Sequence, residues 1–114
     1  MTRWRRWAAE WQDWLDGELL SAVCLERFTR SRLLLTLGAD PNVMGWRVLG
    51  LVSALSAACI CENPVLVALL LENGADPDGN PFESDSPLSR ISDEFASEAS
   101  VLCAELLLKS GIRR

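Results

Sequence analysis

The sequence holds few of the side chains with which small enzymes do chemistry. It contains no histidine among 114 residues, so an imidazole base, a Ser–His or Cys–His pair and the commonest zinc ligand are all missing. Paired carboxylates such as Asp76 and Asp78 can in principle share acid–base work, but their surroundings are typical of turns. We therefore expect no catalytic, cofactor-binding or metal-binding residues; a small carboxylate-dependent hydrolase is a remote alternative.

The four cysteines fit buried packing better than metal binding or disulfide formation. Cys59 and Cys61 form a C-x-C pair, but on a helix they point about 200° apart, and no second pair stands at metal-binding spacing. A chain with a substantial apolar core does not need a disulfide framework. With no signal peptide and no membrane-spanning stretch in the sequence, we expect reduced thiols and a cytoplasmic protein.

Composition indicates a globular protein whose charge is unevenly distributed. Apolar residues make up 49% and charged residues 24%, with a net charge of −5. Residues 51–114 carry four basic and ten acidic side chains, a net −6. Such an acidic half argues against direct nucleic-acid binding, which depends on Lys and Arg meeting phosphate.

The chain repeats itself at a separation of 36 residues. Residues 17–41 and 53–77 are identical at ten of 25 positions without a gap. A weaker third copy follows, since "SPLSRIS" (86–92) parallels "SALSAAC" (53–59) and "AELLLKSG" (104–111) parallels "VALLLENG" (67–74). Self-similarity with a period in the thirties predicts stacked helical repeats.

The local chemistry of one unit predicts two helices and a turn. Asn63 followed by Pro64 is a typical helix start, and Ser86–Pro87 is another. Gly74 ends the second helix, because glycine adopts a left-handed conformation without steric cost, and Pro77 prevents the helix from resuming. Each unit therefore consists of a helix, a short turn, a second helix, a glycine stop and an extended excursion.

These motifs resemble ankyrin repeats. The resemblance rests on "GADPN" (38–42), "GADPD" (74–78), the triple leucines before them and "SPL" (86–88), and it covers about residues 17–114. It implies an all-α ankyrin-repeat solenoid of stacked helix-turn-helix units with an N-terminal capping helix, in one domain over 1–114. The predicted parts are a Trp-rich N-terminal helix (1–16), repeat 1 (17–52), repeat 2 (53–85) and repeat 3 (86–114).

The sequence departs from the ankyrin pattern in two ways. The usual Thr-Pro-Leu-His becomes "SALS" and "SPLS", so that Ser56 and Ser89 replace the histidine that ties neighbouring repeats together. We expect a less stiff stack as a result. The first excursion and the last inter-helix loop, "DEFASEAS", are also lengthened, and insertions in a solenoid map to loops that often line a binding face.

The resemblance further implies protein binding through the excursion tips and the concave face of the first helices. Carried onto this chain, that surface comprises Met44, Trp46, Arg47, Ile60, Cys61, Phe82, Glu83 and Asp85. Trp46 is either a rigid anchor for a partner's pocket or filler that folds back on its own repeat, and the sequence leaves both open.

Before the first unit, "TRWRRWAAEWQDWLDG" predicts an amphipathic helix. Trp4, Trp7, Trp11 and Trp14 fall on one helical face, and Asp16–Gly17 is the predicted stop. We favour a cap, in which the indoles cover the apolar edge of the first repeat. The alternatives are contact with a partner or a membrane-surface helix, which the acidic residues on the same helix disfavour.

Together these features predict a protein that acts by binding. A recognition domain alone is expected to mask a partner, as an inhibitor, a toxin-immunity protein or an anti-defence protein does. The acidic surface favours a partner with a basic surface, such as a nucleic-acid enzyme. The alternative is an adaptor or assembly subunit, including a homodimer through the Trp face; we expect no direct nucleic-acid or membrane binding.

Overall fold

A computed structural model describes residues 2–47, 50–78, 87, 91 and 98–110, with side chains described except in 2–7 and 46–50. The described chain is mostly helical, as predicted, and the excursion after the second helix adds a small antiparallel sheet. The elements are α1 (Thr2–Cys24), α2 (Phe28–Thr36), β1 (Met44–Arg47), β2 (Gly50–Ser53), α3 (Ala54–Ile60), α4 (Pro64–Glu72) and α5 (Glu98–Lys109).

The helix pairs α1/α2 and α3/α4 are joined by the same turn, 36 residues apart. Glu26 and Glu62 occupy the left-handed region, with φ of 56° and 55°. In the first turn the N–H of Glu26 donates to the carbonyl of Val23 at 3.0 Å and the N–H of Arg27 to that of Ala22 at 2.8 Å. This is the Schellman motif, which satisfies carbonyls that a helix end leaves without partners.

The second helix of each pair ends in the same motif with glycine in the left-handed position. Gly38 has φ of +105° and Gly74 of +96°. The residue after each glycine donates back to the fifth residue before it, Ala39 to Leu34 and Ala75 to Leu70, both at 3.0 Å. The predicted stop at Gly74 is confirmed.

The predicted start of α4 is confirmed as well. The Asn63 side chain accepts a hydrogen bond from the N–H of Leu66 at 3.2 Å, and Pro64 stands in the first turn, where its missing N–H costs nothing. Ser53 caps α3 in the same way by accepting from the N–H of Ser56 at 3.1 Å. The other predicted start, at Ser86, lies outside the described residues.

The predicted stop at Asp16–Gly17 is wrong, because α1 runs unbroken to Cys24. Burial explains the continuation: Leu15 and Leu19 are 1% and 0% exposed on the inner side of the helix. Gly17 lies on the outer side with nothing within 4 Å of a Cβ built there, so it does not interrupt the packing. The predicted boundary between residues 16 and 17 thus falls inside one helix that also serves as the first helix of the first pair.

One hydrophobic core runs through all five described helices. The leucine rows that repeat in the sequence supply much of it, with Leu34 3% and Leu70 0% exposed. The third helical layer adds Cys103 and Leu107 from α5, each at 0%. Burial of this kind contributes about 1.5–3 kcal/mol per large side chain, which is what holds the helices side by side.

The lengthened first excursion forms a hairpin. Strand β1 pairs with β2 so that Met44 lies opposite Ser53, Trp46 opposite Leu51 and Arg47 opposite Gly50. Val52 on the second strand is buried. Because Ser53 both ends β2 and caps α3, the hairpin is joined directly to the first helix of the second pair.

Polar side chains from earlier in the chain support each glycine turn. Asn42 donates through Nδ2 to the carbonyl of Gly74 at 3.3 Å and accepts through Oδ1 from the N–H of Asp76 at 2.7 Å. Two residues of α1 do the same for the first glycine turn. Gln12 Nε2 donates to the carbonyl of Gly38 at 3.0 Å, and Asp16 Oδ1 accepts from the N–H of Asp40 at 2.8 Å.

A second set of contacts joins the inter-helix turns to the next unit. Glu26 Oε1 accepts from the side-chain amide of Asn63 at 3.4 Å, and Glu62 Oε1 accepts from the hydroxyl of Ser100 at 2.7 Å. The two left-handed glutamates therefore bond to the N-terminal ends of α4 and α5. The contacts to the first glycine turn come from residues 12 and 16 of α1, which precede the part of that helix that repeats in the sequence.

Candidate protein-interaction site

The structure gathers part of the predicted binding surface in the hairpin. Met44, Trp46 and Arg47 all lie on β1, and Met44 is half-buried. Ile60, also half-buried, ends α3, about 10 Å along that helix from the hairpin. Half-buried Cys61 follows it as the C-cap of α3. Phe82, Glu83 and Asp85 lie outside the described residues, as do the side chains of Trp46 and Arg47.

The hairpin is part of a continuous side of the molecule. Helices α1 and α3 pack against each other, and β1 also contacts α1. The predicted concave-face residues thus sit on neighbouring elements whose backbones are fixed by the core and by the Ser53 cap. Such a scaffold holds exposed side chains in place for recognition.

The tryptophan face of α1 is exposed where the sequence favoured burial. Trp11 is 43% and Trp14 48% exposed, and every residue from 8 to 14 is exposed. The two indoles stack on each other, with ring centroids 5.2 Å apart and planes 19° from parallel. The favoured expectation that the indoles cover the edge of the first repeat is therefore wrong for Trp11 and Trp14; Leu15 and the apolar residues after it do the covering.

The sequence did contain a signal for this arrangement. A leucine-rich stripe begins at Leu15, about 40° around the helix from Trp11, and continues through Leu19 to Val23, turning by about a further 40° at each step. Periodicity shows which residues share a face, but it does not show which part of a long apolar stripe meets the core. The leucine-rich part lies in the repeat itself, and it is the part that the structure buries.

An apolar groove on the second helices is a surface that sequence reasoning missed. It has a volume of about 420 Å³ and lies between α2, α4 and α5. It is lined by Phe28, Pro64, Val65, Ala68, Leu69, Glu72 and Leu102. The unbroken apolar run from Val65 to Leu71 was the available signal, since a helix without a polar face must expose some apolar side chains unless it is covered on all sides.

The repeated aspartates act in the turns, as predicted for Asp76. The N–H of Asn42 donates to the Asp40 carboxylate at 2.9 Å, and the N–H of Asp78 donates to the Asp76 carboxylate at 3.0 Å. Each aspartate therefore stabilises the backbone two residues ahead of it. Across α1 and α2, Arg30 and Glu18 form an exposed ion pair at 2.6 Å, a type that contributes at most about 1 kcal/mol.

The cysteines pack in or beside the core. All four lie in the described part and none forms a disulfide. Burial raises the pKa of Cys103 to about 11, with a further contribution from the negative charge of Glu62. Burial also raises the pKa of Cys61, followed by the charges of Glu26 and Cys24. Both thiols are therefore protonated and weakly nucleophilic at neutral pH.

No group of three or more His, Cys, Asp or Glu side chains in the described ranges is placed to hold a metal ion. In the same residues, no helix combines the length and the apolar character needed to cross a bilayer.

No protein-family model matches the sequence, and no curated protein matches it significantly.

Proposed function

We propose that this chain is a non-catalytic, ankyrin-type solenoid that binds another protein and blocks it by occupying its surface. The observation that carries the proposal is the structural repeat. Two successive helix pairs use the same Schellman turns 36 residues apart and are tied together by the hydrogen bonds of Asn42 and Glu26 to the second pair. Stacked units of this kind expose a broad, rigid side whose loops can vary without disturbing the core.

The hairpin is the proposed contact surface. It is the lengthened excursion, it lies beside α1 and α3, and its first strand carries Met44, Trp46 and Arg47. Trp and Arg are the residue types most often found at binding hot spots. The backbone of β1 is fixed by pairing with β2, so little conformational entropy is lost when these side chains meet a partner.

The proposed partner has a basic surface, such as a nucleic-acid enzyme. Asp76 and Asp78 stand exposed in the second glycine turn, and the half of the chain from residue 51 to 114 carries a net −6. An acidic surface speeds association with a basic one at low salt. The association rate is accordingly expected to fall as the salt concentration rises, because screening shortens the range of the attraction.

The test is capture followed by an activity assay. The tagged chain is used to isolate its partner from the native lysate, and the partner's activity is then measured as more of the chain is added. Inhibition that saturates at a fixed stoichiometry is the expected result. A captured partner whose activity does not change at saturation would make the chain an adaptor, and the blocking function would be discarded.

A variant connects the activity to the hairpin. We expect Trp46→Ala to weaken binding by about 2 kcal/mol or more with little change in the melting temperature. Leu37→Ala is the matched control, because Leu37 is 50% exposed and follows α2, away from the hairpin; it should bind normally. Loss of folding in Trp46→Ala, measured by circular dichroism, would instead identify Trp46 as a packing residue.

A further inference from the structure

A row of charges accompanies the tryptophan row of α1. The residue immediately before each tryptophan is charged: Arg3, Arg6, Glu10 and Asp13 precede Trp4, Trp7, Trp11 and Trp14. Since successive residues turn by about 100° around a helix, the charged positions share one flank of the tryptophan face. The row is basic in its first half and acidic in its second half.

This face is open to a partner in the part of α1 whose side chains are described. Trp11 and Trp14 are 43% and 48% exposed and stack on each other, and Glu10 and Asp13 beside them are exposed as well. Two adjacent exposed indoles form a large apolar patch, and such patches on soluble proteins mark interaction sites.

We infer that this face binds the same face of a second copy of the chain, with the two α1 helices antiparallel about a two-fold axis level with residue 9. A two-fold interface requires that if one residue meets another, the second meets the first on the other side of the axis. The tryptophan spacing satisfies that condition, because inverting the row exchanges Trp4 with Trp14 and Trp7 with Trp11. The spacing of three, four and three residues is that of the two core positions of a coiled coil.

The charged row comes close to the same symmetry with opposite signs. Inversion about the level of residue 9 brings Arg3 of one copy within two residues of Asp13 of the other, about 3 Å along the axis, and brings Arg6 equally near Glu10. In an antiparallel pair with a two-fold axis, the same flank of both helices lies on the same side of the interface, so that the two rows meet. Four charge pairs form in total, two on each side of the axis.

A parallel pair would not use these charges. There the charged flank of one helix lies beside the opposite flank of the other, which carries Ala8 and Leu15. The antiparallel pair also places the two folded bodies, from Leu15 onward, at opposite ends of the helix pair. It further accounts for basic residues at the start of α1, which cost roughly 0.3–1 kcal/mol each against the helix dipole when no acidic partner is present.

The indoles supply most of the affinity and the charges set the orientation. Exposed ion pairs contribute at most about 1 kcal/mol each, whereas a buried indole removes roughly 150–250 Å² from water. A contact built on one face of about four helical turns is at the small end of stable interfaces, so we expect a dissociation constant on the order of micromolar. The inference does not depend on the proposed partner, because that partner uses the hairpin.

Sedimentation equilibrium tests the tryptophan face. The wild-type chain is expected to show twice its 12.6 kDa mass at concentrations above the micromolar range. Trp11→Ala/Trp14→Ala should raise the dissociation constant at least about 30-fold with an unchanged helical circular-dichroism spectrum. Leu33→Ala/Leu37→Ala, which removes exposed apolar side chains elsewhere, should remain a dimer. A wild-type chain that is monomeric at several hundred micromolar would overturn the inference.

A charge-exchange experiment tests the antiparallel register. Arg3→Glu/Arg6→Glu makes the whole row acidic and Glu10→Arg/Asp13→Arg makes it basic, so each variant alone should be a monomer because its rows repel. An equimolar mixture should dimerise, since all four pairs are then complementary. The same mixture carrying Trp11→Ala/Trp14→Ala should stay monomeric, which separates the interface from general attraction between opposite charges. Two variants that each dimerise as well alone as in the mixture would overturn the antiparallel arrangement.

Discussion

The two glycine turns, 38–42 and 74–78, have the same backbone but are supported in different ways. Each needs one donor for the glycine carbonyl and one acceptor for the N–H two residues later. A single amide, that of Asn42, fills both needs in the second turn, whereas Gln12 and Asp16 share them in the first. The difference shows that the turn sets the hydrogen-bonding requirement, and that either the loop of the preceding pair or the N-terminal part of α1 can meet it.

The inter-helix turns differ in the environment of their shared glutamate. Glu26 bonds to Asn63 at 3.4 Å among exposed groups, whereas Glu62 bonds at 2.7 Å to Ser100, whose residue is 1% exposed. Both glutamates hold a left-handed conformation that is unfavourable for any residue with a side chain. The hydrogen bond of the glutamate therefore offsets little of the backbone strain in the first turn and more of it in the second.

The largest expected effect on stability comes from truncating the buried leucines that recur in both helix pairs. Leu70→Ala should lower the free energy of unfolding by about 3–5 kcal/mol and Leu34→Ala by a similar amount, because both side chains are buried. Leu33→Ala is the control, since Leu33 is 57% exposed, and should cost less than about 1 kcal/mol. Urea unfolding measures all three. If Leu34→Ala proved as mild as Leu33→Ala, the two units would not share one core.

The pH dependence of stability extends the comparison to the third helical layer. The pKa of Cys103 is raised from 9.0 to about 11 in the folded chain, so between these values the unfolded chain loses a proton that the folded chain keeps. The contribution of this thiol to the free energy of unfolding is fully present below pH 9. It falls as the pH rises towards 11, by roughly 2–3 kcal/mol in total. Comparing urea unfolding from pH 8 to 11 for wild type and Cys103→Ala measures this, and identical slopes would contradict it.

The supports of the two glycine turns can be compared by deletion. Asn42→Ala removes two hydrogen bonds and should cost about 1–2 kcal/mol, whereas Gln12→Ala and Asp16→Ala each remove one bond to the turn and the exposed bond that joins Gln12 to Asp16 at 2.7 Å, and should each cost about 1 kcal/mol. The Gln12→Ala/Asp16→Ala double variant should match Asn42→Ala in urea unfolding. A double variant with wild-type stability would mean that α1 does not support the first turn.

The smallest expected effect separates the two left-handed glutamates. Glu26→Gly should stabilise the chain by about 0.5–1 kcal/mol, because glycine relieves the left-handed strain and the bond to Asn63 that is lost is weak. Glu62→Gly gains the same relief but loses the short bond from the buried Ser100 hydroxyl, so it should be neutral or destabilising by about 1 kcal/mol. Equal melting shifts for the two variants would show that the environment of the glutamate does not matter.

The sequence predicted what depends on local chemistry. Asn63 and Gly74 delimit α4 because an N-cap side chain and a left-handed glycine act on their own few residues, whatever surrounds them. The 36-residue repeat likewise predicted two matching helix pairs. These features recur in the structure at the expected positions.

What the sequence did not predict depends on contacts between distant residues. Gly17 is weak evidence for a helix end once Leu15 and Leu19 are held by the core, because burial outweighs the roughly 1 kcal/mol that a helical glycine costs. The hairpin at 44–53 was predicted only as an irregular excursion, since "MGWRVLGLVS" has no turn dipeptide typical of a hairpin. The exposure of Trp11 could not be read from periodicity, because Trp11, Leu15 and Leu19 lie along one slowly turning stripe of α1, and only part of it meets the core.

The short range of the contacts that tie the units together bears on how the chain is made. The bonds from Gln12, Asp16, Glu26, Asn42 and Glu62 all join residues between 24 and 38 positions apart. During synthesis from the N-terminus, each can therefore form once the next few dozen residues have left the ribosome. The early part of the protein can settle into its final arrangement while the rest is still being translated.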